Sequence, residues 1–169
     1  RGYINLEMRS ILIISATKGS NLVLAKKIGD HVSLDHNIIS LEDFMMPLYT
    51  TGIKLNENNN IELLSQKFIQ SRGFIFCAPE YNGGSPPILT NTITWLSVYT
   101  DDWRGVFNNK KAIIATHSGG AGFKFLTSFR SQLEHLGSLV YPRDIIVNKN
   151  KKFNPQSVKD ILHEFEKLI

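Results

Sequence analysis

Cysteine is nearly absent from this chain. The 169 residues include one, Cys77, which excludes an internal disulfide and leaves no cysteine-rich metal centre to build. Inside an apolar run, it reads as a small core hydrophobe. No metal is expected. No apolar run approaches the roughly 18 to 20 residues that a membrane span requires, and the N-terminus shows no charged head, apolar stretch and small-residue cleavage site. A soluble, cytoplasmic protein without a membrane partner is therefore expected. An acidic excess is also missing, since the net charge is +4 and the pI about 9.2. The basic residues are nevertheless scattered. Their one local cluster, Lys149, Lys151 and Lys152, sits in an Asn-rich turn without interleaved aromatics, so no nucleic-acid partner is expected. The charge suits acidic small molecules.

A hydrophobic content of 42% with 20% charged residues fits one globular domain with a sizeable core. That domain is assigned to residues 8–169, and the preceding RGYINLE (residues 1–7) is set aside as an appended segment. Along it, apolar periodicity alternates between two kinds. SILIIS (Ser10 to Ser15) is a β-branched strand, after which Ser20 is placed to cap a helix carrying Ala25, Ile28 and Val32. A second strand is expected near Asn37 to Leu41. Asn60 is placed to cap a helix bearing Ile61, Leu64 and Phe68, and Gly73 to Cys77 forms the third strand. Pro86 and Pro87 suit the first turn of a helix that turns Leu89, Ile93 and Leu96 inward. Ala112 to Thr116 is the fourth strand. Leu126, Phe129, Leu133 and Leu136 make a helix face ended by Gly137, and Ser138 to Tyr141 begins the fifth strand. Asn154-Pro155 opens a last helix with the stripe Val158, Ile161, Leu162, Phe165 and Leu168. There is no internal repeat, and Asn56 to Asn60 reads as a solvated turn.

Five βα units whose strands are apolar on both faces predict an α/β three-layer sandwich, a five-stranded parallel sheet covered by helices on each side. The expected strand order is the flavodoxin-like 2-1-3-4-5. Ligands in such folds bind beyond the carboxyl ends of the strands, where the order reverses between strands 1 and 3. The loops after strands 1, 3 and 4 are the unusual ones here.

After strand 1, Ser15-Ala16-Thr17-Lys18-Gly19-Ser20-Asn21 leads into a helix. Hydroxyls and free N–H groups at a helix N-terminus suit a phosphate, although Ser and Gly are also ordinary capping residues. The loop is neither a P-loop nor a GxGxxG fingerprint. After strand 4 comes Thr116-His117-Ser118-Gly119-Gly120-Ala121-Gly122, whose glycines let backbone approach a flat ligand. Thr116 stands where a GxSxG elbow needs Gly, which argues against a hydrolase built on Ser118. His117 reads as a polar loop residue in preference to a general base.

The loop after strand 3 carries a resemblance. Pro79-Glu80-Tyr81-Asn82-Gly83, then Pro86, Leu89, Asn91 and Trp95-Leu96-Ser97 resemble the motif PEYNxxxPxxLKNxxDWxS of the NAD(P)H-dependent FMN reductase family. Ser118-Gly119-Gly120, Phe129-Arg130, Leu133, Leu136-Gly137 and Pro142 resemble that family's Gly-rich loop and following helix. The resemblance spans nearly the whole chain from Met8.

It implies a flavodoxin-like flavoprotein holding FMN non-covalently, with NADPH or NADH as co-substrate. Ser15, Thr17, Ser20 and Asn21 would grip the phosphate, with Lys18 standing in for an Arg usual in the family. Pro79, Glu80, Tyr81, Asn82 and Gly83 would line the isoalloxazine, and Ser118, Gly119 and Gly120 would close its other edge. Hydride chemistry would belong to FMN, with no catalytic side chain, and electrons would pass by a ping-pong scheme to free flavin, quinone, azo or metal-oxyanion acceptors. Thr90 and Thr94 replace the family's Lys and Asp. A flavodoxin-type electron carrier is the second reading; such carriers tend to be strongly acidic, unlike this chain. Relatives of the family assemble as dimers or tetramers, and the segment Trp95, Tyr99, Trp103 and Phe107 reads as core or as the surface of a homodimer.

Overall fold

The computed structural model describes residues 10–53 and 59–169. The segment 1–7 and most of the turn at 56–60 lie outside the described residues. Six strands and five helices follow one another as β1 (Ser10–Ser15), α1 (Ser20–Gly29), β2 (Asp35–Ser40), α2 (Asn59–Gln70), β3 (Gly73–Cys77), α3 (Pro87–Tyr99), β4 (Lys111–His117), α4 (Phe123–His135), β5 (Leu139–Val140), β6 (Ile145–Val147) and α5 (Pro155–Glu166), with a 3-10 turn at Leu41–Asp43. All strand pairings within the sheet are parallel. The order is β2-β1-β3-β4-β5, as the βα alternation predicted.

Alternation along the central strands divides the core in two. Leu12, Ile14, Phe74, Phe76, Ala112 and Ile114 face α2, α3 and α4, whereas Ile11, Ile13, Ile75, Cys77, Ile113 and Ala115 face α1 and α5. A period of two in an entirely apolar strand supplies both faces at once. On the first face Phe68 packs against Phe74, Phe76 and Phe107 at ring separations of 5.0, 6.3 and 5.9 Å, and Phe129 meets Phe76 edge-on at 5.1 Å. Burial pushes the Cys77 thiol well above its ordinary pKa, so it stays an inert hydrophobe.

The fifth strand differs from expectation. Its position is filled by two short pieces, β5 against Lys111–Ala112 and β6 against Ala115–His117 of β4. Pro142 lies between them and has no N–H to continue a ladder. Arg130 of α4 fills the break, donating to the carbonyl of Tyr141 at 3.1 Å and to Asp144 Oδ1 at 2.6 Å. Burial raises the Asp144 pKa and the Arg130 charge opposes that rise.

Local details also depart from the sequence reading in three places, two of them helix caps. Gly19, not Ser20, is the N-cap of α1, and no side chain bonds there. Asn60 lies within α2, and its amide donates to Met45 O at 3.0 Å. Leu168 falls beyond α5 and is exposed. Asn154 does cap α5, accepting from Ser157 N at 3.0 Å.

Because Phe68 is buried and touches three other rings, Phe68→Ala is expected to destabilise the fold by about 3–5 kcal/mol. Urea denaturation measures this. An unchanged midpoint would contradict the packing described.

Candidate functional site

Strands β1, β3 and β4 end together at Ser15, Cys77 and His117, and the order reverses between β1 and β3. The three unusual loops therefore share one rim. What holds them to each other is side chain to backbone bonding.

The Asn21 side chain joins the first loop to the third. Its Nδ2 donates to His117 O at 3.0 Å and its Oδ1 accepts from His117 N at 2.9 Å, and the residue is buried. Ser118 joins the third loop to the second. Its Oγ accepts from Glu80 N at 2.8 Å and shares a hydrogen bond with Thr116 Oγ1 at 2.8 Å. Glu80 returns the connection, since its Oε2 accepts from Phe125 N at 3.1 Å in the first turn of α4. That helix has Gly122 at its N-cap and no capping side chain of its own, so a carboxylate from another loop meets its positive end.

Each loop then leaves backbone open. Ser15 Oγ donates to Thr17 O at 2.6 Å, curling the first loop. Among the described residues the amides of Thr17, Gly19, Ser20 and Asn21 have no hydrogen-bond partner, while that of Lys18 donates to Glu42 Oε2 at 2.6 Å. The Lys18 ammonium pairs with Asp43 at 2.6 Å, both exposed, and that carboxylate raises its pKa. Open N–H groups at a helix start are suited to an anion.

Pro79 is buried at the mouth of β3. Beyond it, Tyr81 and Gly84 exchange both backbone bonds at 3.0 Å, with Asn82 at φ 51° and Gly83 at φ 74°. Positive φ at both central residues makes a type I′ turn, for which Asn-Gly is the favoured pair. The turn presents Tyr81 to solvent, and the Lys124 side chain lies over Gly83.

Gly119 and Gly120 are exposed, and a Cβ on either would meet nothing within 4 Å. Their lack of side chains is not demanded by the protein's own packing. It fits a ligand lying close against the main chain. Gly122 differs, for a Cβ there would stand 2.9 Å from the Thr116 methyl, at φ 72°.

The rim is extended by the chain from Met45 to Gly52. Asn91 accepts from Tyr49 N at 2.9 Å and donates to Pro47 O at 3.1 Å, and Trp95 Nε1 donates to Pro47 O at 2.8 Å. Leu48 projects from it, 74% exposed.

The structure thus brings Ser15, Thr17, Ser20, Asn21, Pro79, Glu80, Tyr81, Asn82, Gly83, Ser118, Gly119 and Gly120 to one edge, with Lys18 turned aside toward Asp43. Sequence reasoning missed the parts of Thr116 and Glu42. Neither belongs to a local pattern, and only the lateral order of the strands makes them neighbours. Among the described residues no group of three potential metal ligands gathers anywhere.

The chain is similar to known proteins in sequence and in fold. The chain is 30% identical over 128 residues to an NAD(P)H-dependent FMN reductase of Schizosaccharomyces pombe, covering 69% of this chain and 54% of that protein. It therefore spans about half the length of that curated relative. Its fold matches the flavoenzyme NAD(P)H:(acceptor) oxidoreductase of Paracoccus denitrificans with a TM-score of 0.74, at 15% identity over 95% of this chain and 94% of that one. An oxidoreductase of Corynebacterium diphtheriae gives 0.76, at 17% identity over 96% and 97%.

Gly122→Ala is expected to cost about 1–3 kcal/mol through its strained φ, with the Thr116 contact adding to it. Thermal melting reads the loss, and Gly119→Ala is the control that should leave the melting temperature unchanged. Equal losses at both positions would overturn the distinction drawn between these glycines.

The profile of the NADPH-dependent FMN reductase family matches residues 8–152, and with the loop geometry in place the conclusion is direct: this chain belongs to that family.

Proposed function

We propose that this chain is an FMN-containing reductase that takes electrons from NADPH or NADH and delivers them to a small acceptor. The observation that carries the reading is the shared rim, where open amides and side-chain-free glycines from three loops converge while the polar side chains between them are bonded to one another. The residues fit the group. The amides of Thr17, Gly19, Ser20 and Asn21 would hold the phosphate, together with the hydroxyls of Thr17 and Ser20. Asn21's side chain acts as the tie to His117 and contributes only its N–H.

The turn from Pro79 to Gly83 and the backbone of Gly119 and Gly120 would flank the flat ring. Bound FMN supplies a hydride acceptor and passes the electrons on, so the protein needs no acid or base of its own. The work of its side chains is positional. Ser118 and Glu80 fix the separation of the two ring-flanking loops, and the aligned N–H groups would favour negative charge on the ring edge beside them. Donor and acceptor would use the same open face in turn, the ping-pong order, with free flavin, quinone, azo compounds or metal oxyanions as acceptors. The loop at Met45–Gly52, tied down by Asn91 and Trp95, would shape that face. The exposed Val98, Tyr99 and Trp103 offer a surface for a homodimer, whereas Trp95 and Phe107 belong to the core. No helix of the described residues is long and apolar enough to cross a membrane, and a cytoplasmic setting suits pyridine-nucleotide turnover.

Titration of the apoprotein with FMN should quench flavin fluorescence saturably. Anaerobic NADPH or NADH should then bleach the bound flavin rapidly. Absence of bleaching with both donors would favour an electron carrier. Gly120→Val should remain folded, because a Cβ at this exposed position has open space around it, yet bind FMN at least about tenfold more weakly, roughly 1.4 kcal/mol. Unchanged FMN affinity in that variant would remove Gly120 from the site.

A further inference from the structure

One cavity borders the flavin rim at Ser20, Ser118 and Gly119 and runs well beyond it. With a volume of about 930 Å³, it lies between α1 and the segment joining β6 to α5, within the roughly 300–1,000 Å³ of small-molecule sites. Its floor is apolar, made by Leu24, Val147 and Phe153. His31 lies nearly parallel to Phe153, 13° from coplanar with ring centres 6.1 Å apart, so one wall is aromatic. Above it stand Lys27, Lys149 and Lys152, all exposed, against Asp30, the one carboxylate of the lining.

These lysines differ from Lys18 and Lys167, each of which holds a carboxylate at 2.6 Å. Among the described residues, none of the three groove lysines has a carboxylate within 4.0 Å, and Lys27 instead lies 5.7 Å from the Phe153 ring centre. Like charges gathered around a concavity repel one another until an anion arrives. The basic cluster in the Asn-rich turn is also ordered. Asn148 Oδ1 accepts from Asn150 N and Lys151 N at 2.9 Å each, and Asn148 N donates to Lys151 O, so the turn holds Lys149 and Lys152 on the groove side.

An apolar floor, an aromatic wall and a cationic rim together select a flat, hydrophobic ring system that bears phosphate. The groove meets the first and third loops at its far end, through Ser20 and the stretch from His117 to Gly119. We propose that it binds a phosphorylated purine of the adenine mononucleotide type. Such a group has two sources: the adenosine phosphate half of the pyridine dinucleotide, which rests on the reductase reading, or a free adenine mononucleotide, which does not.

The test uses the FMN-loaded protein and three probes, adenosine 2′,5′-bisphosphate, AMP and inorganic phosphate, followed by isothermal titration calorimetry. A nucleotide probe should bind saturably and phosphate alone much more weakly. In a Lys27→Gln/Lys152→Gln variant, nucleotide affinity should fall at least about tenfold while the FMN dissociation constant stays the same. If the variant's KM for NADPH rises in step with kcat unchanged, the occupant is the dinucleotide's tail; if KM does not move, it is a free mononucleotide. Phosphate binding as tightly as the nucleotides, or nucleotide affinity untouched in the variant, overturns the proposal. Nucleotide binding by a protein that fails to take up FMN would uphold the groove and sink the reductase reading alone.

Discussion

Two buried side chains, Asn21 and Ser118, tie together loops that lie beyond the ends of the strands. Parallel strands deliver loops to one edge, but their ladders end at Ser15, Cys77 and His117, leaving each loop with polar groups to satisfy. Asn21 bonds both backbone groups of His117, and Ser118 receives the Glu80 amide. Because the loops satisfy each other, the remaining amides can face outward in a fixed arrangement. A site made of main chain is only as well defined as the side chains that brace it.

The bracing draws on the helices as well. Glu80 is a member of the second loop, yet its carboxylate bonds the first turn of α4, so the turn that would flank the ring is anchored to the helix following the third loop. Asn91 and Trp95 of α3 perform a similar task for the chain at Met45–Gly52. Motif residues that look from their spacing like ligand contacts are thus holders of loops. Lys18 is neutralised by Asp43 at the rim, while Lys27, Lys149 and Lys152 stand around the groove beside α1.

Strand assignments were legible because the signal is short-range. Unbroken apolar runs of five or six residues alternating with helices point to a doubly covered parallel sheet, and the two core faces separate residue by residue as a period of two requires. The start of the fifth strand was legible at Leu139–Val140, but not its break at Pro142, which Arg130 of α4 fills. Capping failed at Ser20 and Asn60 for a related reason. A polar residue near a helix start is a capping signal only when no tertiary partner claims its side chain or shifts the helix boundary, and Met45 O claims that of Asn60.

The sequence by itself determined the layering, the strand order and which three loops carry the unusual residues, since each follows from local periodicity and from the glycines and prolines at the strand ends. Tertiary structure alone decided that Asn21 clasps His117, that Thr116 and Glu42 join the rim, and that Lys27 shares a groove with Lys149 and Lys152. The physical reason is separation along the chain: Asn21 and His117 are 96 positions apart, and no local pattern encodes which distant carbonyl an amide will meet.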